Sequence, residues 1–250
     1  MYRSTNNIDQ AWRSRVGSIV GALIASIVAP IALLLIFLLM MASNMEPSSL
    51  DRYHDAAYAA SMGQYYGNFA IIGLVAIIAI LGLFIWYCVA LSGFASIQKT
   101  PEDKENARKI LHGVLITSLG SIGVAILIGI LSASMTNLQQ IQRMLMFTPF
   151  IILGVQCAGM SMTIGAYRRL SESISFNDKC REGFEDLRIS VVLNLICSII
   201  SCLSDFFPRE LGLIAGIAMI VLGIISIVKT FTGWSRVKNN SPYLEDEAAI

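Results

Sequence analysis

Six long stretches of apolar and small residues, free of Asp, Glu, Lys and Arg, alternate along this chain with short polar segments. A helix needs about 20 such residues to cross the ~30 Å hydrocarbon core of a bilayer. The pattern therefore predicts an all-α membrane protein in which residues 1–250 form a single polytopic membrane domain. The predicted spans cover about residues 17–42, 69–97, 110–133, 145–166, 187–204 and 211–229.

The fifth and sixth stretches are the shortest, with 16 and 18 uncharged residues. They can cross a bilayer if Arg188 and Lys229 extend their charged groups to the interface. The alternative is a re-entrant hairpin around Asp205–Glu210. We expect two true spans, because re-entrant backbone needs surrounding protein to satisfy its polar groups. The first stretch is about twice as long as the apolar region of a signal peptide, so we expect it to remain as an anchor.

The basic residues are distributed unevenly between the gaps. Fifteen of the 18 Lys and Arg residues fall in both termini and in the second and fourth gaps, and the other three gaps hold one each. Cytoplasmic loops are enriched in Lys and Arg. The asymmetry predicts three hairpins with both termini in the cytoplasm, in the cell (inner) membrane. The net charge of +1 gives no indication of nucleic-acid binding.

The three hairpins have similar ends. Gly93, Gly165 and Gly233 lie at their return ends, and Thr100-Pro101 and Asn177-Asp178 read as helix starts, as does Asn7. A threefold parallel repeat is one interpretation. The other is that apolar helices resemble one another by composition, and that glycine, aromatic and basic residues gather at membrane interfaces for general reasons.

The fifth stretch is the most polar. Ser190, Asn194, Ser198 and Ser201 recur on one helical face, and Gln156 in the fourth stretch is a candidate partner for Asn194. Such a face indicates either an interhelical seam or the lining of a substrate pathway. We favour the seam, because small polar residues commonly join membrane helices.

Two glycine pairs have the small-residue spacing that brings membrane helices together. They are Gly17 with Gly21 and Gly212 with Gly216. We expect them to pack against another helix, within the chain or between copies.

The longest predicted extracytoplasmic segment contains a weak candidate metal site. Asp51, His54 and Asp55 share one face if this segment is helical, and two carboxylates beside an imidazole can bind a divalent ion. The alternative, which we favour, is a solvated face with a local charge network, because the spacing matches no specific metal motif.

The sequence contains no recognised catalytic motif, and no Asp, Glu, Lys or Arg interrupts any of the six uncharged stretches. We therefore expect no cofactor and no enzymatic activity. The first hypothesis is an accessory or structural protein that packs with lipid, with other membrane proteins or with itself. The alternative is a facilitator or transporter of a small solute or lipid, with a pathway along the fifth helix.

Overall fold

The structure, a computed structural model, describes the backbone of residues 2–43, 55–135, 137–204 and 206–241. Side chains are described for residues 8–36, 38–39, 73–135, 137, 139–204, 206–208 and 211–241. This part of the chain is helical and contains no strand. Its helices are α1 (Tyr2–Ser43), α2 (Asp55–Ser96), α3 (Pro101–Leu115), α4 (Ser121–Ser134), α5 (Leu138–Glu172), α6 (Asp178–Ser204) and α7 (Arg209–Asn239). A π-helical turn, Ile116–Gly120, joins α3 to α4.

Six helical segments of the described chain are long and apolar enough to cross a membrane. They are α1, α2, the continuous run from α3 to α4, α5, α6 and α7. With 27 and 31 residues, α6 and α7 extend roughly 40 and 46 Å, so both are long enough despite their short uncharged parts. Within the most apolar 18-residue window of each segment, at most 17% of the residues are buried. The predicted all-helical class and the six apolar helices are confirmed, and they are compatible with a multi-pass membrane protein.

The chain divides into two compact units. Gly21–Val89 forms one, and Met1–Val20 with Ala90–Ile250 forms the other. In the first unit, the Trp86 ring lies 3.4 Å from the position that a Cβ would take at Gly21. Pro30 lies inside α1 in the same unit and lines an apolar cavity of about 250 Å³ together with Phe84 and Tyr87.

Two helices begin at side chains that the sequence marks as caps. Thr100 Oγ1 accepts a hydrogen bond from the Asp103 amide at 3.1 Å and donates one to the Asp103 carboxylate at 2.7 Å. Asn177 Oδ1 accepts from the Cys180 amide at 2.8 Å. Each bond satisfies an amide that has no partner within its own helix. Both predicted helix starts are confirmed.

The predicted start at Asn7 is wrong, because α1 already begins at Tyr2. The Asp9 carboxylate accepts from Arg13 Nε at 2.9 Å, one helical turn further on. Ion pairs at this spacing support a helix through the polar start of α1.

The three glycines at the return ends of the predicted hairpins have different surroundings. A Cβ at Gly233 would lie 2.7 Å from the Gly183 carbonyl oxygen, and one at Gly93 would lie 3.0 Å from the Arg15 guanidinium. At Gly165, no described atom outside its own helical turn lies within 4 Å. Equivalent positions in a repeat would be expected to share a packing role, so these glycines lend the threefold repeat no support.

The helices α3 and α5 cross at two glycines. A Cβ at Gly113 would lie 2.6 Å from the Gly159 carbonyl oxygen, and a Cβ at Gly159 would lie 2.5 Å from the Gly113 carbonyl oxygen. Thr117 and Thr163 stand one turn further along their helices and flank the contact. Backbones can approach this closely only where side chains are absent, as in small-residue packing between membrane helices.

The buried core of the larger unit lies at the helix ends that the sequence assigns to the cytoplasm. Its centre is an aromatic cluster drawn from five helices and the α5–α6 turn, and it comprises Trp12, Phe94, Tyr167, Phe176, Phe184 and Trp234. The ring centroids of Phe94 and Trp234 are 5.4 Å apart in an edge-to-face arrangement, and those of Trp12 and Phe94 are 5.6 Å apart. Such pairs contribute about 0.5–1.5 kcal/mol beyond the burial of their area. This end of the bundle is therefore its best-packed region.

Candidate functional site

The polar face of α6 divides into two parts with different surroundings. Its first half, at Ser190 and Asn194, contacts α7, and its second half, at Ser198 and Ser201, lines a cavity beside α5. Ser190 and Asn194 therefore lie in an interhelical seam, whereas Ser198 and Ser201 line a cavity.

The first part is a polar seam between α6 and α7. Ser190 Oγ lies 2.8 Å from Ser226 Oγ and 2.6 Å from Thr230 Oγ1, and both serines are buried. Ser226 Oγ also donates to Asn194 Oδ1 at 2.9 Å. Hydrogen bonds between membrane helices contribute about 0.6 kcal/mol each on average. The seam therefore joins α6 to α7 and satisfies hydroxyl groups that would otherwise lie unpaired in an apolar segment.

A close glycine contact continues this interface towards the charged ends of α6 and α7. A Cβ at Gly183 would lie 2.8 Å from the Gly233 carbonyl oxygen, and one at Gly233 would lie 2.7 Å from the Leu187 side chain. The two backbones are therefore nearly in contact. This approach brings the adjacent charged side chains of the two helices within bonding distance.

A buried carboxylate accepts hydrogen bonds from two cations at this contact. Asp186 Oδ1 accepts from Lys229 Nζ at 2.6 Å, and Asp186 Oδ2 accepts from Arg236 Nη1 at 2.8 Å. The Asp186 side chain is 6% exposed, whereas those of Lys229 and Arg236 are 38% and 43% exposed. Arg236 also lies 3.5 Å from Glu182. The carboxylate is desolvated and fully paired, while the cations retain contact with solvent, which identifies a structural ion cluster.

The second part of the polar face lines a cavity of about 660 Å³, which we call the α5–α6 cavity. Leu145, Ile152 and Leu153 of α5 and Met219 of α7 provide its apolar wall. Its polar and sulfur-bearing side chains are Thr148, Gln156, Cys197, Ser198, Ser201, Cys202 and Ser204. The volume lies within the range of about 300–1,000 Å³ that is typical of small-molecule sites.

Several polar groups in this cavity have no hydrogen-bond partner among the described residues. The side chains of Gln156, Ser198 and Ser201 make no hydrogen bond with any other described residue. Cys197 Sγ makes a weak contact of 3.9 Å to the Met219 carbonyl. Unpaired polar groups in an apolar setting cost free energy, so they favour a hydrogen-bonding occupant.

Pro149 adds a backbone acceptor to the same cavity. It lies inside α5 and lacks an amide hydrogen, so the carbonyl of Leu145, one turn earlier, loses its helical donor. Both residues line the cavity. The Leu145 carbonyl therefore lacks the amide donor that residue 149 would supply in a regular helix.

Asn194 and Gln156 are placed in different environments. The partner of Asn194 is Ser226 of α7, whereas Gln156 lines the α5–α6 cavity. The proposed pairing of these two amides is not among the hydrogen bonds of the described residues.

The glycine pairs that the sequence marks for packing are differently placed. A Cβ at Gly17 would lie 3.5 Å from the Lys238 side chain, and Gly21 faces Trp86. At Gly212 and Gly216, no described atom beyond their own helix lies within 4 Å. This stripe of α7 therefore has no partner within the described part of the chain.

The candidate metal residues are not placed by the structure. Asp51 and His54 lie outside the described residues, and only the backbone of Asp55 is described, as the first residue of α2. Elsewhere in the described chain, no group of three or more His, Cys, Asp and Glu side chains could hold a metal ion.

Sequence reasoning missed the ion cluster and the two glycine crossings. Local sequence does not mark Asp186, Lys229 and Arg236 as partners, because 43 and 50 positions separate Asp186 from the two cations. The signal for one crossing was present, since Gly113 and Thr117, like Gly159 and Thr163, have the small-residue spacing of helix contacts.

Cys180 lies in the charged first part of α6, before the uncharged stretch, and is fully buried. Burial raises the pKa of its thiol, because the thiolate is poorly solvated there. The thiol is therefore a packing group and a poor nucleophile at neutral pH.

Comparison with known protein families, with curated protein sequences and with solved structures finds no match for this chain.

Proposed function

We propose that this chain is a multi-pass integral membrane protein with both termini in the cytoplasm. It acts without catalysis, as an accessory or structural component that packs with lipid or with other membrane proteins. The observation that carries this proposal is the large uncovered apolar surface of the candidate spans. On α7, for example, Leu213, Ile217 and Ile220 are each more than 60% exposed. Surface of this kind is stable only against lipid or another apolar surface.

The outward face of α7 favours a protein partner or a second copy. Gly212 and Gly216 lie on this helix with no described neighbour, and small residues let another helix approach closely. The rest of the bundle does not depend on these glycines, so their effect on association can be measured separately from their effect on folding.

The topology is tested with single cysteines at Ser49 and at Thr100 in a cysteine-free background. An impermeant maleimide added to intact cells should label Ser49→Cys and leave Thr100→Cys unlabelled until the cells are opened. Labelling of Thr100→Cys from outside would refute the orientation.

The packing role is tested by Gly216→Leu. We expect this variant to fold normally but to lose cross-linked self-association or a co-purifying membrane protein. Gly129→Leu on α4 is the matched control, since no described atom outside the helix lies within 4 Å of its Cβ position either. Unchanged association of Gly216→Leu would exclude the α7 face as the contact.

A second candidate function is facilitated passage of a small solute or lipid. The α5–α6 cavity favours it, because polar groups line a hollow beside an apolar segment. The cavity does not include Asn194, so a continuous pathway along α6 would have to pass the Asn194–Ser226 hydrogen bond.

The variant Asn194→Leu separates the two functions. If Asn194 serves the seam alone, the variant lowers resistance to unfolding and leaves transport into proteoliposomes at the background rate. If Asn194 lies on a solute or lipid pathway, the variant abolishes the flux of that solute or lipid that the natural chain supports. Ser132→Ala on α4 is the control, because the Ser132 hydroxyl donates to the Ile128 carbonyl of its own helix and to no other described residue.

A further inference from the structure

We infer that the α5–α6 cavity binds one uncharged lipid whose head group carries a free hydroxyl group, such as a diacylglycerol. This inference rests on the proposed membrane embedding and deepens the second candidate function by naming the class of ligand. It is carried by three observations: unpaired polar groups, a lining without charge, and an apolar wall.

The unpaired groups define the head-group chemistry. Gln156 offers an amide that both donates and accepts, and Ser198 and Ser201 offer hydroxyls that can do either. The Leu145 carbonyl, freed by Pro149, offers an acceptor. A ligand that both donates and accepts hydrogen bonds satisfies this set, and a hydroxyl group does so with a single atom.

The lining excludes a charged head group. None of the described residues around the cavity is an Asp, Glu, Lys, Arg or His. An ion in this setting would be desolvated without a countercharge, and that arrangement costs several kcal/mol. A phosphate or carboxylate is therefore a poor ligand, and an uncharged one is favoured.

The dimensions and the wall favour a lipid over a small polar solute. Leu145 and Gln156 both line the cavity, and they are 11 residues apart, so it extends roughly 16 Å along α5. Leucine, isoleucine and methionine side chains cover much of this length. An acyl chain can fill the apolar part, while the head group reaches the amide and the hydroxyls.

The full-length protein, reconstituted in phosphatidylcholine nanodiscs, can be tested with a diacylglycerol that bears a photoactivatable group on one acyl chain. Cross-linked peptides are mapped by mass spectrometry. We expect labelling concentrated on residues 145–156 and 197–204, reduced at least threefold by excess dioleoylglycerol and unaffected by excess phosphatidic acid.

Two cavity variants, Gln156→Leu and Ser198→Ala, test the site. Gln156→Leu should reduce labelling roughly tenfold, because it removes an amide that can both donate and accept hydrogen bonds. Gln142→Leu, the same substitution on an exposed part of α5, should not change it. Each variant is first checked for monodisperse elution and for an unchanged unfolding midpoint. A second variant, Ser198→Ala, keeps the test valid if Gln156→Leu does not fold, and should reduce labelling at least twofold.

The outcomes divide clearly. Labelling spread evenly over the apolar faces of α1, α4 and α7, or unchanged in both cavity variants, would overturn the inference. Stronger competition by phosphatidic acid would also overturn it. Competition by free glycerol, equal to that by dioleoylglycerol, would also overturn the inference, because a soluble polyol and not a lipid would then fit the site. A wrong orientation in the cysteine-labelling experiment would refute the proposed topology independently of these results.

Discussion

The ion cluster at Asp186 predicts that the two sides of a salt bridge contribute unequally to stability. The carboxylate is 6% exposed, whereas the side chains of Lys229 and Arg236 are 38% and 43% exposed. Removing the carboxylate leaves two cations that can turn towards water. Removing both cations leaves a desolvated carboxylate without a countercharge. The second change should therefore be the more damaging one.

The magnitudes follow from the geometry. Hydrogen bonds to charged groups contribute roughly 1.5–3 kcal/mol each. Because both cations are more than one-third exposed, and Arg236 keeps Glu182 at 3.5 Å, we discount the loss in Asp186→Asn to about 1–2 kcal/mol. An uncompensated buried charge costs roughly 3–5 kcal/mol, which is the loss expected for Lys229→Met combined with Arg236→Met.

The assay is reversible unfolding of the purified protein in mixed micelles, titrated with dodecyl sulfate and followed by tryptophan fluorescence. Trp12 and Trp234 report on the same end of the bundle, since both are buried in the aromatic cluster. Arg168→Met is the control, because Arg168 pairs with Glu172 on an exposed surface and should give no measurable change. If Asp186→Asn is as destabilising as the double variant, desolvation of the carboxylate does not set the energetics of this cluster.

Three further predictions concern packing. Gly159→Ala should destabilise the protein by about 1–3 kcal/mol in the same unfolding assay, because its Cβ would meet the backbone of α3. Gly154 on the same helix faces open space, so Gly154→Ala should be neutral or stabilising. If both variants lower the free energy of unfolding equally, the close contact of α3 and α5 at Gly159 is contradicted. Trp12→Phe should lower the free energy of unfolding by about 1–3 kcal/mol, because the indole donates to the Val237 carbonyl at 2.9 Å. The change is measured by thermal unfolding. An unchanged stability would mean that this hydrogen bond does not stabilise the fold. Burial raises the pKa of the Cys180 thiol, so at about pH 8 it should react with a maleimide roughly a hundredfold more slowly in the folded protein than in dodecyl sulfate. The reaction is followed by mass spectrometry. Equal rates in the two states would show that this end of the bundle is open to solvent.

The elements that sequence could predict are those decided by local chemistry. An apolar run of bilayer length predicts a spanning helix wherever the rest of the chain lies. The caps at Thr100 and Asn177 depend on residues three positions away, and both were predicted. At Asn7 the same reasoning failed, because a cap-forming residue can also continue a helix that is already established.

The partners of the polar groups could not be predicted, because they depend on which helix faces meet. The hydrogen bond from Ser226 to Asn194 crosses 32 positions of sequence, and several other amides and hydroxyls were equally plausible partners. Asp186 illustrates a second reason. A rule that reads charges as topological signals gives no information on which of them are paired and buried.

The hydrogen bond from Trp12 to Val237 joins residues 225 positions apart, nearly the whole length of the chain. A ribosome working at roughly 5–20 residues per second needs about 11–45 s between the two. Throughout that interval the Trp12 indole lacks its acceptor, and the rings that pack on Trp234 lack their partner. The first helices must therefore be held by the insertion machinery, or by one another, until α7 emerges. A chain truncated before α7 would present an unfilled aromatic surface, a feature by which quality control can distinguish an unfinished chain from a finished one.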